Sequence, residues 1–318
     1  MKTAIIGAGI NGLYLAWKLA EKGEDVTVFE KREKIGKDVC SGLFSERILE
    51  FIPHLRGGAG FIPENQNLIQ NKIESVLIHF PKKTAKIRFS RTFFVINHFG
   101  LDNLVANLAE KAGAKIILNH TVTDIPEGVN KIIGCDGALS KIRELLKMKN
   151  PDFYLGIQGI IEKEDFSTFV ETWPTKLGFI WKIPRGREVE YGIMEKPENA
   201  KRYFDEFLNR NNIILQRINS SFISRGLIIP SNDKITLCGD AAGLTKPWSG
   251  GGVIWGLSAA DILLKTFPDF SKYKRDCERF FLPKIIFSEI IKKMVYFSGF
   301  NFPRLLPKKV KIEGDFLI

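Results

Sequence analysis

The sequence predicts an α/β chain in which a parallel-sheet layer alternates along the chain with an antiparallel sheet, followed by C-terminal helices. Three observations predict it. Residues 3–30 read as strand, glycine turn, helix and second strand. Apolar strands running into Asp-Gly and Gly-Asp turns recur at 131–137 and 234–243. Between these stretches, 73–96 and 154–229 carry short alternating runs that suit half-buried strands.

The first stretch carries the strongest pattern. Residues 3–6 are apolar and partly β-branched, Gly7-Ala8-Gly9-Ile10-Asn11-Gly12 follows, 13–22 form a helix, and 26–29 form a strand ending in Glu30. Gly7 permits the tight turn out of the strand, Gly9 lets backbone N–H groups approach a pyrophosphate, and Gly12 lets the helix pack closely on the sheet. The positive end of the helix faces the phosphates. Glu30 stands where a carboxylate accepts hydrogen bonds from a ribose 2′-OH. With strand, helix and acid all present, this is a Rossmann-like dinucleotide site. The acid suits FAD or NAD and repels the 2′-phosphate of NADP, but Lys31 and Arg32 follow directly, so charge alone leaves NADP open.

Composition sets the outer bounds. A chain of 318 residues with 44% apolar content buries a sizeable core, as one large domain or two interleaved ones. No run of about eighteen uncharged apolar residues signals a membrane span. Met1-Lys2 runs straight into the first strand, leaving no room for a leader, and a cytoplasmic setting is expected. Cys40, Cys135, Cys238 and Cys277 are far apart and form no CxxC pair, which argues against a zinc knuckle or disulfide framework. The four histidines share no metal-ligand spacing, so no metal is expected. The net charge of +11 admits nucleic acid, an anionic membrane or an acidic substrate. Dispersal of the basic residues until the C-terminal region argues against nucleic acid.

After a polar turn at 33–37, Cys40-Ser41-Gly42 admits two readings. Cys40 is a small buried residue in a turn, or the turn sits against a ring system that Gly42 lets the backbone approach. Residues 45–52 suit a helix capped by Ser45, and 57–60 a flexible glycine loop. Strands are expected at 73–80, 86–89 and 93–96, then a helix over 101–112 closed by Gly113, a strand at 114–118 and a short one at 122–125.

An apolar strand at 131–134 runs into Cys135-Asp136-Gly137, and a short helix starts near Ser140. An aspartate at the end of a parallel strand suits a ligand crevice, although Asp-Gly turns are common. Farther on, a strand at 234–238 turns through Gly239-Asp240. Pro247-Trp248-Ser249-Gly250-Gly251-Gly252-Val253 then opens a helix over 254–264. Asp240 can accept a hydrogen bond from a ribityl hydroxyl. The N–H groups at Gly251, Gly252 and Val253 can hold a flavin's pyrimidine edge, where negative charge develops on reduction.

These motifs together resemble the p-hydroxybenzoate-hydroxylase-like flavoproteins and, within them, the geranylgeranyl reductase family. The resemblance runs from residue 1 to about 265. It rests on the glycine motif with Glu30, Cys40-Ser41-Gly42, Cys135-Asp136-Gly137, Gly239-Asp240 and the 247–252 loop. It also rests on Phe179-Ile180-Trp181-Lys182-Ile183-Pro184 with Tyr191-Gly192, similar to the family segment that lines a lipid cavity. The chain departs from the family where an arginine usually precedes the mid-chain helix; Asn97 and His98 stand there instead.

The resemblance implies an FAD-binding three-layer domain interleaved with an antiparallel substrate domain. The expected divisions are 1–72, 99–150 and 231–268 for the cofactor part, 73–98 and 151–230 for the substrate part, and 269–318 for C-terminal helices. His98 and Val122 join the cofactor-binding residues. Cys40 moves to the flavin, as a candidate proton source alongside water. Trp181, Pro247 and Trp248 are expected at the substrate, with Phe166, Phe169, Trp173 and Phe179 as further apolar walls. The implied reaction is saturation of isolated C=C bonds in a prenyl lipid or isoprenoid diphosphate by hydride from N5 of reduced FAD. Electrons would come from NAD(P)H or from a ferredoxin docked on the basic surface. A flavin monooxygenase or dehydrogenase and a non-catalytic flavoprotein remain the rival readings. Beyond 269, aromatic clusters alternate with lysines. A helical pair packed on the core and a basic, aromatic face for peripheral contact with an anionic membrane both suit that pattern.

Overall fold

The computed structural model describes residues 1–36, 40–56, 68–307 and 309–316. The chain opens with β1 (Lys2–Ile6), α1 (Ile10–Glu21) and β2 (Asp25–Phe29). Next come β3 (Leu43–Ser45), α2 (Ile48–Phe51), β4 (Ile69–Phe80) and β5 (Lys83–Ile96). They are followed by α3 (His98–Lys111), β6 (Lys115–Ile117), β7 (Lys131–Gly134) and α4 (Lys141–Leu145). The middle holds β8 (Asp152–Ile161), β9 (Phe169–Pro174), β10 (Phe179–Pro184), β11 (Val189–Glu195), α5 (Pro197–Arg210) and β12 (Gln216–Arg225). The chain ends with β13 (Ile235–Leu237), α6 (Val253–Thr266), α7 (Phe270–Asn301) and β14 (Lys309–Ile312).

These elements form two compact units, one from residues 1–37, 98–152 and 224–285, the other from 38–97, 153–223 and 286–318. The first is an α/β unit around a parallel sheet ordered β13-β7-β1-β2-β6. Four of the five residues of β1 are buried. Nine of the twelve residues of α1 are buried too, because the helix is covered by α3 and α6 as well as by the sheet. Register aligns the strand ends: Ile6 pairs with Phe29 and Gly134, and Leu237 also pairs with Gly134. The turns leaving β1, β2, β7 and β13 therefore lie along one edge, where open α/β sheets bind ligands.

The second unit is a nine-stranded mixed sheet, ordered β12-β8-β11-β10-β9-β4-β5-β14 with β3 also on β5. Most pairs are antiparallel, while β4–β9 and β5–β14 are parallel. One face buries Ile73, Phe93, Val95, Val170 and Ile183. The other buries Ile180 and Ile193 against Phe204 of α5. Among the described residues, no helix is long and apolar enough to cross a membrane.

Several local expectations change. Residues 86–89 and 93–96 belong to a single strand, β5, because β14 pairs alongside Lys86–Phe89 and β3 opposite Phe93–Val95. Ser45 ends β3 instead of capping a long helix, and its hydroxyl donates to the Asp315 carboxylate. Residues 122–125 form no strand, because they lack a buried apolar face and run into Pro126. Residues 40–56 and 68–72, expected with the cofactor part, cluster with the mixed sheet, since β3 pairs with β5 and β4 already begins at Ile69. The C-terminal helical pair is one 32-residue helix with Pro283 inside. Proline removes one ladder donor, and the Lys284 ammonium donates to the Phe280 carbonyl at 3.0 Å beside it. The glycine loop expected at 57–60, the end of the polar turn at Lys37 and the basic Lys308 lie outside the described residues.

Candidate active site

In the first unit the site is built largely of main chain. Gly7 has φ +104°, and a Cβ there would lie 2.5 Å from the Cys135 carbonyl oxygen. A Cβ on Gly12 would lie 2.0 Å from the Gly7 carbonyl oxygen. These two glycines thus let β1, α1 and the turn after β7 close on one another. Gly9 caps α1 in extended conformation with no side-chain cap, and space is open where its Cβ would be. The N–H groups at Ile10 and Asn11 are left for an anion at the helix start. Glu30 is buried and accepts from Ala8 N at 2.8 Å and Arg32 N at 3.1 Å. Its carboxylate is therefore fixed at the tip of β2. Lys31 beside it is exposed.

The turn after β7 packs tightly as well. Asp136 Oδ2 accepts from Lys141 N at 2.6 Å and Ile142 N at 3.1 Å, which caps α4. Its Oδ1 is buried with no hydrogen-bond partner among the described residues. Gly137 has φ +85° with open space beside it. The amide of Asn11 fills the room left by two glycines: a Cβ on Gly239 or Gly256 would come within 2.4 Å of its Nδ2. Asn11 Oδ1 is likewise buried without a hydrogen-bond partner among the described residues. Asp240 sits in the 3-10 turn after β13, and a Cβ on Gly252 would lie 2.5 Å from its Oδ1. Gly252 caps α6 at Val253, again with no side-chain cap. The two orphaned oxygens, the open space at Gly9 and Gly137, and the two uncapped helix starts fit a dinucleotide such as FAD.

The remaining expected residues of this unit range from half-buried to buried. Val122 lies in irregular chain and is half-buried. His98 opens α3, buried, with Nε2 3.3 Å from Asp102 Oδ1. Pro247 is buried, and Trp248 packs edge-on against the fully buried Trp255 at 6.0 Å, so its ring is partly core.

Two residues that sequence reasoning missed stand out. Arg143 is 1% exposed and donates to the Ala241 carbonyl at 2.8 Å and the Ala138 carbonyl at 2.6 Å, tying the Asp-Gly turn to the Gly-Asp turn. Burial lowers its pKa, against the pull of Asp136. Lys246 is also buried, and its main chain closes the 246–251 loop through both N–H and C=O. Their sequence signal is weak: one basic residue in a short helix, one beside a proline. The cysteines, dispersed in sequence, partly converge. Hydrogen bonding with Cys238 and burial push the Cys135 thiol up, and burial pushes Cys277 up beside Cys238.

In the second unit the expected residues meet through side chains. A Cβ on Gly42 (φ +64°) would lie 2.0 Å from the Ile96 carbonyl oxygen, so the Cys40-Ser41-Gly42 turn is pressed onto β5. Arg185 Nη1 donates to the Ser41 carbonyl at 2.7 Å and to Glu190 Oε2 at 2.8 Å, while Nη2 donates to Gln70 Oε1 at 2.7 Å. Glu190 Oε1 accepts from the Trp181 indole at 2.8 Å. Arg185 and Glu190 were not foreseen, yet they join the Cys40 turn to Trp181. Gly192 makes room for the indole, since a Cβ there would lie 2.2 Å from it. The expected aromatic walls divide. Trp173 packs with the α5 face, opposite the cluster that holds Trp181. Phe166 is 62% exposed and off the strands. Tyr191, paired with Lys182, also packs with the α5 face.

Comparison with known proteins follows this geometry. The family described as NAD(P)-binding Rossmann-like domain matches residues 5–68. The digeranylgeranylglycerophospholipid reductase of Methanocaldococcus jannaschii is 25% identical over 293 residues, covering 78% of this chain and 72% of that protein. A geranylgeranyl bacteriochlorophyll reductase-like protein from Thermoplasma acidophilum superposes with a TM-score of 0.79 at 20% identity, over 92% of this chain and 86% of that one. A probable FAD-dependent monooxygenase from Pseudomonas aeruginosa, pqsL, shares the fold with a TM-score of 0.70 at 16% identity, over 96% and 98%. With the glycine, Asp-Gly and Gly-Asp turns on one sheet edge, the chain has the fold of FAD-dependent oxidoreductases and is similar along most of its length to geranylgeranyl reductases.

Proposed function

We propose that this protein reduces isolated C=C bonds of prenyl chains in lipids or isoprenoid diphosphates. The observation that carries the reading is the alignment along most of the chain with a relative named for reduction of a digeranylgeranyl lipid. FAD, when bound and reduced, supplies hydride to one alkene carbon. The chain's own residues do the rest. Gly7, Gly9, Ile10, Asn11 and Gly12 hold the pyrophosphate, Glu30 the ribose, Asp240 the ribityl chain, and Gly251, Gly252 and Val253 the pyrimidine edge. Lys31, His98, Val122, Asp136 and Gly137 complete the cofactor set. Cys40, on a turn held by Arg185, is the candidate proton source for the second carbon, with water as the alternative. Trp181, Pro247 and Trp248 supply apolar contacts to the chain. An unactivated alkene offers no carbonyl to polarise, so positioning and water exclusion are the protein's main contributions. The electron donor is NAD(P)H or a ferredoxin.

The fold likeness to a monooxygenase favours a second reading, flavin-dependent oxidation of another apolar substrate. One experiment separates the two. Purified protein is loaded with FAD, reduced anaerobically with dithionite, and mixed with a geranylgeranyl lipid. Return of the oxidised flavin bands without oxygen, with a saturated bond in the product by mass spectrometry, supports the reductase. Flavin that reoxidises only when air is admitted favours the second reading, and failure to bind FAD refutes both. Cys40→Ala should slow the lipid-dependent reoxidation without changing the dithionite step.

A further inference from the structure

We infer that the C-terminal half of α7 and the turn after it lie on an anionic lipid bilayer. Ile286, Ile290, Met294 and Phe297 recur at helical spacing and are between 51% and 61% exposed. Phe302 (51%) and Leu305 (74%) extend the ridge beyond the helix. From Ile286 to Phe297 the ridge runs about 17 Å along the helix axis. A contiguous apolar face of this kind marks an interaction surface.

The ridge is not the side that holds the helix to its own unit. That work falls to other residues: Tyr296 donates to the Gly178 carbonyl at 2.6 Å, Lys292 donates to the Leu177 carbonyl at 2.9 Å, and Gly299 fits against Phe80. The apolar side chains are therefore surplus to internal packing.

Charge identifies the occupant. Lys293 is exposed within the ridge and Arg304 at its end. The β4–β5 turn adds exposed Lys82 beside this end, where Phe80 meets Phe300 at 5.5 Å and Lys83 donates to the Leu306 carbonyl. Between residues 286 and 307 the only acid is Glu289, which is half-buried. Apolar side chains flanked by lysine and arginine suit the boundary between acyl chains and anionic headgroups. A second copy meeting this face about a two-fold axis would oppose like charges with only the half-buried Glu289 to balance them.

Co-sedimentation of the full chain with vesicles tests this, and it needs neither cofactor nor substrate, so it can fail while the reductase reading stands. The expected result is binding to phosphatidylcholine vesicles containing phosphatidylglycerol, weakened by salt, and little binding to phosphatidylcholine alone. A double variant, Ile290→Asp with Phe297→Asp, should bind at least about tenfold more weakly while its thermal melt is retained. Lys293→Glu with Arg304→Glu, which leaves the ridge intact, should abolish the anionic preference. Absence of vesicle binding overturns the inference, as does equal binding to both vesicle types. A dimer in sedimentation equilibrium that the Asp variant disperses, without vesicle binding, assigns the face to a second copy and overturns it too.

Discussion

The first unit's candidate site is made of main chain, whereas the second unit's cluster around Arg185 is made of side chains drawn from separate strands. At the sheet edge of the first unit, Gly7 and Gly12 give positions that no Cβ can occupy, Gly9 and Gly137 leave open space, and the ligand groups on offer are N–H groups at helix starts. In the second unit, the Cys40 turn is held by a guanidinium that also pairs with a buried carboxylate and, through it, with Trp181. The two constructions fail differently. A main-chain site is damaged by adding an atom, and a side-chain network by removing one.

Removing Arg185 should have the largest effect. Arg185→Ala leaves Glu190 buried without its charge partner and frees the Ser41 carbonyl, and should destabilise the protein by roughly 3–5 kcal/mol in denaturant unfolding. A loss below about 1 kcal/mol would show that the network is not what holds this region. Adding atoms to the first unit should come next. Gly12→Val forces α1 away from the Gly7 carbonyl and should cost about 1–3 kcal/mol together with loss of bound FAD, read from flavin absorbance. Gly9→Ala sharpens the point, because its Cβ meets no protein atom within 4 Å. It should leave the melt unchanged and weaken FAD binding about tenfold, or ~1.4 kcal/mol. If Gly9→Ala leaves FAD binding intact, the pyrophosphate does not approach at that turn.

A smaller effect is expected at Trp181. Trp181→Phe keeps an aromatic ring but removes the indole N–H donated to Glu190, and should cost about 1 kcal/mol. The pH response should be smallest. Burial pushes the Glu190 carboxyl above its ordinary value of 4.5, against the pull of Arg185 and of the indole hydrogen bond. The folded chain therefore keeps this proton to higher pH than the unfolded chain does. Stability attributable to Glu190 should fall as pH rises from 4.5 through the folded value and level off above it. Glu190→Gln should remove that slope; a wild-type slope of the opposite sign would mean that the attraction of Arg185 outweighs burial.

The same contrast governs what could be read without coordinates. Glycine motifs carry local information, since a turn, a helix start and an acid at fixed spacing imply their own geometry. Residues 3–30 therefore announce a dinucleotide unit unaided. Alternation likewise exposed most strands of the second sheet, and the run at 179–184 with Gly192 marked Trp181. What stayed hidden depends on chain segments far apart in sequence. Arg143 looked like one basic residue of a short helix until its guanidinium bridged two turns. Arg185 and Glu190 flank a hairpin, and nothing local in the sequence pairs them with each other or with the Cys40 turn. Tyr191 was grouped with Trp181 by motif, yet strand alternation sends it to the opposite face.

By itself, the sequence determined the α/β class, the glycine cradle and the order in which the two kinds of segment alternate, because each follows from backbone preferences and periodicity within a few residues. Only the tertiary structure decided that β14 extends the β5 edge, that the helix from Phe270 continues through Pro283, and that Arg185 joins the Cys40 turn to Trp181. Those outcomes depend on which groups find partners after distant segments meet, and no local pattern encodes the partner of a buried charge.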